Sequence, residues 1–168
     1  MKQAIESGEI GAPLMIHSCH RNMSQAPGFA TDYAVTRVAI HEIDISRWLL
    51  DDEYATAQVL AVRQSKNTQG DWLNPQIMML TTRSGQRIDV EVQTDGAYAY
   101  DIQCQVVGED GTVSLPDPSA VVKRAGAACS FPIMTDWSQR FIEAYDIEFD
   151  AWAKALLNGA PDGPSAWD

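Results

Sequence analysis

The stretch from Arg87 to Gln93 restricts this chain more than any other. Ile88, Val90 and Val92 alternate strictly with Arg87, Asp89, Glu91 and Gln93. Successive side chains of a strand point to opposite faces, so this segment is satisfied only with one dry face and one wet face. Sheets that are wet on one side are characteristically antiparallel, because parallel crossovers tend to cover both faces. The surrounding sequence agrees. Residues 55–63 and Gln76–Thr82 read as strands, and Ser84-Gly85 turns the second into the alternating one. Residues 98–107 read as a fourth strand. Gly108-Glu109-Asp110-Gly111 then turns into residues 112–115, and residues 120–123 are a last strand candidate.

Helical signals flank these strands. The first residues read as the end of a helix, with Ala4 and Ile5 as its apolar remnants and Ser7-Gly8 as its stop. A chain that opens inside a helix is expected to belong to a longer one. Residues 13–22 are a strand candidate, and residues 23–33 a loop punctuated by Pro27-Gly28. Residues 36–50 read as a helix with Thr36 as N-cap and Asp51-Asp52 as its end. Helical spacing puts Arg37, His41, Asp44 and Trp48 on one face, and leaves Ile40, Ile43 and Leu50 to pack on a sheet. Residues 136–157 read as a long helix with the apolar stripe Phe141, Tyr145, Phe149, Trp152 and Leu156, stopped by Asn158-Gly159 and Pro161. The expectation is one α+β domain over residues 1–168: an open, mostly antiparallel β-sheet with helices packed on one face.

The 168 residues suffice for one core, and no apolar run reaches transmembrane length. The N-terminus has neither the basic start nor the apolar stretch of a signal peptide, so the expected location is the cytoplasm. A formal charge of −11 repels phosphate, which argues against nucleic acid or an anionic membrane as partner. Cys19, Cys104 and Cys129 include no CxxC pair, and read as reduced thiols. No G-x-G-x-x-G or P-loop spacing occurs, so no cofactor-binding residue for a dinucleotide is expected in this chain.

Three groupings could carry chemistry. In His17-Ser18-Cys19-His20, alternation keeps His20 off the face shared by His17 and Cys19, whose Cα atoms lie about 7 Å apart in a strand; no third ligand is evident, and no metal is expected. The same arithmetic puts His20 with Asn22, and Tyr98 with Tyr100, on common faces. Such pairs can line a pocket for a hydroxyl-rich ligand, or can be buried, hydrogen-bonded side chains. On the helix, His41 and Asp44 are neighbours: an imidazole that can take a proton and a carboxylate that can orient it, or a histidine beside a salt-bridging aspartate.

Several separated motifs resemble the C-terminal domain of the Gfo/Idh/MocA oxidoreductase family. Gly8-Glu9-Ile10-Gly11, Leu14-Met15-Ile16-His17 and His20-Arg21-Asn22 look like its entry. Ala39-Ile40-His41-Glu42-Ile43-Asp44 followed by Arg47-Trp48-Leu49-Leu50 resembles its signature helix. The segments Tyr98-Ala99-Tyr100-Asp101-Ile102-Gln103-Cys104, Val107-Gly108-Glu109, Arg140-Phe141-Ile142-Glu143-Ala144-Tyr145 and Gly163-Pro164-Ser165-Ala166-Trp167-Asp168 are similar to its inositol 2-dehydrogenase branch. The resemblance covers nearly the whole chain.

It implies a C-terminal domain like that of glyceraldehyde-3-phosphate dehydrogenase, which binds substrate and builds homodimers or homotetramers through the sheet face. It implies NAD (or NADP), bound mainly by an N-terminal Rossmann domain absent from this chain and carrying a catalytic lysine. It implies a small polyol or sugar as substrate, whose ring hydroxyl is oxidised to a ketone, and further chain beyond Trp167-Asp168. This fragment alone is expected to be inactive. His41 matches the catalytic histidine, and His20, Asn22, Asp44, Tyr98 and Tyr100 match substrate-binding positions.

The resemblance breaks at Arg37, which stands among the substrate-binding positions where the family has an aspartate, and at Val38, often threonine in the branch. A cation replaces the carboxylate that would hold the imidazole. Hence the alternative: a non-catalytic polyol-binding or oligomerisation module. Against pure assembly stand Asp89 and Glu91, ill-suited to a dry interface.

Overall fold

The computed structural model describes residues 1–68, 70–116 and 121–159. A short helix α1 (Lys2–Glu6) leads into strand β1 (Pro13–Arg21). A π-helical stretch, Ala34–Ala39, runs directly into α2 (Ile40–Leu50). Strands β2 (Tyr54–Ala61), β3 (Gln76–Thr82), β4 (Arg87–Gln93), β5 (Asp101–Gly108) and β6 (Thr112–Ser114) follow. The chain then forms a small hairpin, β7 (Lys123–Ala125) with β8 (Ala128–Ser130), and ends its described part in α3 (Trp137–Arg140) and α4 (Ile142–Leu157).

The main sheet has the order β2-β3-β4-β1-β5-β6. Only β1 and β4 run parallel; the other neighbours are antiparallel. The fold is therefore the expected open, mostly antiparallel sheet. Register explains how its core forms. Ile16, Ser18 and His20 stand opposite Ile88, Val90 and Val92 on one side, and opposite Val106, Cys104 and Ile102 on the other. Met78 and Leu80 of β3 extend those rows. This face is covered by Ala34, Val38, Ala39, Leu49 and Leu50. Ile16, Ile88, Val90 and Val106 are fully buried, and each such side chain contributes about 1.5–3 kcal/mol of transfer free energy. The opposite face carries His17, Arg21, Asp89 and Glu91 and is only partly covered. Close approach fixes one glycine: a Cβ on Gly108 would sit 2.1 Å from the carbonyl oxygen of Ile10.

The structure corrects several local expectations. The helix begins before Thr36, which is no N-cap; its hydroxyl donates to the carbonyl of Asp32 (3.0 Å). The stripe facing the sheet is Val38, Glu42, Ser46 and Leu49, all buried; of the residues expected to pack there, Leu50 is buried, Ile43 is half-buried against the core, and Ile40 is exposed. The fourth strand starts at Asp101 rather than Tyr98, since Ala97 adopts a left-handed conformation (φ 64°) and holds the preceding residues in a turn. The strand read over residues 120–123 starts at Lys123 instead, and Ala120 lies outside the described residues, as do Pro161 and the Gly163–Asp168 motif. The long C-terminal helix is broken at Phe141 (φ −122°), and Asp136 caps the first piece by accepting from the backbone of Ser138 (2.9 Å). Phe149, Trp152 and Leu156 of α4 remain exposed, so its stripe does not enter this core.

Candidate active site

At the C-terminal end of β1 a cavity of about 480 Å³ opens between the sheet and the helices. β1 delivers His20 and, just past its end, Asn22. Strand alternation turns both toward the helix-covered side, as the sequence spacing requires. The backbone of Asn22 is pinned: its N–H donates to Gln93 (2.9 Å), and its carbonyl accepts from Gly96 (2.8 Å). The π-helical stretch delivers Arg37, and the first turn of α2 delivers His41 and Glu42. Tyr100 closes the wall beside β5, held by a hydrogen bond from its N–H to the carbonyl of Met134 (2.8 Å). Trp137, Phe141 and Tyr145, from the two C-terminal helices, supply an aromatic wall.

The centre of the site is a pair of imidazoles. The rings of His20 and His41 stack with centroids 6.1 Å apart and planes 23° apart. Tyr100 meets His20 edge-on at 5.7 Å, and Phe141 meets Tyr100 edge-on at 6.3 Å. His20 Nδ1 lies 2.9 Å from Glu42 Oε1, and both side chains are buried. Burial and, secondarily, the charge of Glu42 push the Tyr100 phenol up to about 12. It therefore keeps its proton through neutral pH and is a hydrogen-bond donor. Arg37 lays its guanidinium over the ring of Tyr33, 3.6 Å from the centroid, which holds it at the rim.

The positions named from the sequence separate into two groups. His20, Asn22, Arg37, His41 and Tyr100 come together on one cavity. Asp44 and Tyr98 do not line it. Asp44 is exposed on α2, and three residues of α-helix carry it about 4.5 Å along the axis from His41. Tyr98 precedes the strand, so strand alternation does not pair it with Tyr100. It lies with the open face, donating to Asp101 (2.6 Å) and accepting from Arg21 (3.4 Å). The carboxylate that meets a histidine here is Glu42 on His20, not Asp44 on His41.

Sequence reasoning missed Glu42, Trp137, Phe141 and Tyr145 as site residues. Glu42 had a signal: it is an acid at helical spacing from Val38, Ser46 and Leu49, in the stripe that faces the sheet. Phe141 and Tyr145 lay in an apolar stripe and in a segment similar to the family branch, neither of which points to a cavity rather than to core packing, and Trp137 had no signal.

What the site offers is two imidazoles, a phenol, an amide and a guanidinium around an open cavity, against aromatic rings. Such a mixture binds a compact ring bearing several hydroxyls and can take a proton from one of them. Residues 34–39, which lead into α2, contain no glycine that would let a pyrophosphate approach the backbone there.

Comparison with known proteins agrees with this geometry. Residues 2–168 match the model of the C-terminal alpha/beta domain of an oxidoreductase family. The whole chain is 49% identical to an inositol 2-dehydrogenase of Burkholderia cenocepacia and 50% identical to one of Acidiphilium cryptum. In both cases it spans about half (50%) of the relative's length. Among solved structures it is similar to the myo-inositol dehydrogenase of Lactobacillus casei in complex with NAD(H) and myo-inositol, with a TM-score of 0.93 and 36% identity over 99% of this chain and 50% of that one. The scyllo-inositol dehydrogenase of Lactobacillus casei shares the fold at 18% identity (TM-score 0.85, 99% of this chain, 53% of the other).

Proposed function

The chain belongs to the Gfo/Idh/MocA oxidoreductase family, as its C-terminal domain, and on that premise we propose that it is the substrate-binding half of an NAD-dependent inositol 2-dehydrogenase. The reaction is oxidation of a ring hydroxyl of myo-inositol, or of a related polyol, to the ketone. The observation that carries this reading is the stacked pair His20 and His41 in one cavity with Asn22, Arg37 and Tyr100.

NAD, held by a nucleotide-binding domain outside this chain, supplies the hydride acceptor. His41 is the base that takes the hydroxyl proton. His20 and Asn22 hold neighbouring hydroxyls, Tyr100 donates to another, and Arg37 closes the rim. Trp137 and Phe141 exclude water from the ring's apolar edge. Asp44 and Tyr98 are assigned no hydroxyl. The open sheet face, with Arg21 bridging Glu91 and Asp101, is assigned to a polar homodimer or homotetramer contact. Among the described residues no helix is long and apolar enough to cross a membrane, and the free thiols of Cys19, Cys104 and Cys129 support a reducing compartment, the cytoplasm.

The test is turnover by the complete protein, nucleotide-binding domain included, against a panel of inositols and aldoses with NAD or NADP. Reduction of the nicotinamide is expected with myo-inositol, and His41→Ala is expected to lower it about 10²–10⁴-fold. Unchanged turnover by that variant would sink the assignment of the base. One observation favours a second reading, a polyol-binding module without catalysis: Arg37 lines the cavity, at a position where the family resemblance implies a carboxylate. Calorimetric binding of myo-inositol with no turnover would select that reading, and Arg37→Asp would then be expected to restore activity.

A further inference from the structure

We infer that Glu42 is a positioning residue: it fixes His20 in the tautomer that carries its proton on Nδ1, so that Nε2 is the acceptor for a polyol hydroxyl other than the one being oxidised. This assignment rests on the proposed function for its substrate, but its structural basis stands on the His20–Glu42 pair alone.

Three observations lead to it. First, the pair sits where an apolar pair would stabilise the fold at least as well. His20 belongs to the row of Val92 and Ile102, and Glu42 to the helical stripe of Val38 and Leu49. The side chains are only 7% and 6% exposed. Burying an ionisable pair in such a contact is stabilising at best by a narrow margin.

Second, the pair is not built as a structural staple. Glu42 commits Oε1 to His20, while its Oε2 is buried with no hydrogen-bond partner among the described residues. Buried polar groups with a purely structural role are normally satisfied in full.

Third, both residues line the cavity, and the ring of His20 faces that of His41. A carboxylate has no proton to give, so the hydrogen in the 2.9 Å contact belongs to His20 Nδ1. The neutral imidazole then has its lone pair on Nε2. Without Glu42 the ring could carry its proton on either nitrogen, and half of its possible states would present a donor to the ligand. Arg37, a cation on the same wall, cannot take over the acceptor role.

The consequence is selectivity. His41 meets the hydroxyl to be oxidised, and His20, with its ring 6.1 Å away, meets a hydroxyl elsewhere on the same ring. A substrate lacking that second hydroxyl gains nothing from the fixed tautomer.

The complete protein, labelled with ¹⁵N-histidine, reports the tautomer by NMR, with His20 assigned from the His20→Gln variant. The expected result is a protonated Nδ1 and an unprotonated Nε2 at neutral pH; a His20 carrying its proton on Nε2 alone, or protons on both nitrogens, overturns the proposal. In kinetics with NAD, Glu42→Gln is expected to lower kcat/KM for myo-inositol about tenfold, and to match the wild type on one member of a series of monodeoxy-inositols. An equal loss on every member makes Glu42 merely structural and overturns the proposal. Glu42→Asp, which keeps a carboxylate, recovers part of the loss on myo-inositol if the proposal holds, and serves if the glutamine variant does not fold. Should the complete protein oxidise no polyol, the proposed function fails, while the tautomer measurement still decides the role of Glu42.

Discussion

His17 and His20 stand on opposite faces of β1, and each contacts a carboxylate through Nδ1. His17 meets Asp89 at 2.5 Å and His20 meets Glu42 at 2.9 Å. The shorter contact is the weaker candidate for function. His17 and Asp89 are 49% and 37% exposed, where water and salt screen the charges and either side chain can exchange its partner for solvent. His20 and Glu42 have no such freedom. Their contact lies under α2, where breaking it leaves a buried polar group without its partner. The lesson is that partner and distance do not set the worth of an ion pair; the surroundings do. The two faces of one strand provide both surroundings within a few ångströms.

That comparison can be broken by substitution. The largest expected effect is on the covered face: Ile88→Ala, at a fully buried position, should cost about 2–5 kcal/mol of stability in urea unfolding. A loss below 1 kcal/mol would mean that this face is not the core. Glu42→Ala, which leaves His20 buried without its acceptor, should cost about 2–3 kcal/mol in the same assay.

On the open face, Asp101 accepts hydrogen bonds from Tyr98, Gln103 and Arg21. Partial burial raises its pKa, but hydrogen bonds from Tyr98, Gln103 and Arg21 outweigh that and hold it below the ordinary carboxylate value. A carboxyl whose folded pKa lies below its unfolded one contributes stability that is complete above the unfolded value, about 3.9, and is lost as pH falls through the folded one. Asp101→Asn should therefore flatten the acid limb of the stability profile below about pH 4 and leave its shape near neutrality unchanged. Persistence of the full acid slope in that variant would show that other carboxylates are responsible. The smallest effect belongs to Asp89→Ala, expected within about 0.5 kcal/mol at physiological salt. A cost comparable to that of Glu42→Ala would contradict the contrast between the two faces.

The sheet was legible because a strand's two-residue period shows directly in the residue types. Ile88, Val90 and Val92 alternate with charged and polar neighbours, and β3 and β4 occupy the residues that this pattern predicts. His20 and Asn22 were likewise placed together by counting. The helix was less legible. Residue type misled there: the apolar Ile40 is exposed, whereas the acid Glu42 stands with Val38, Ser46 and Leu49 at ordinary helical spacing on the buried side. The pairing of Tyr98 with Tyr100 did not hold because the left-handed residue Ala97 delays the strand until Asp101, so counting from Tyr98 to Tyr100 counted through a turn.

By itself, then, the sequence determined the class of the fold, the wet and dry faces of the sheet, and the family motifs that single out His41. Those properties are written in local periods and in residue types at fixed spacing. Only the tertiary structure decided which carboxylate meets which histidine. It also brought Trp137, Phe141 and Tyr145 to the cavity from more than a hundred residues beyond His20 in the chain. Such contacts depend on the phase of α2 against β1 and on where the C-terminal helices come to rest. Both are set by packing between distant segments, which leaves no period in the sequence to read.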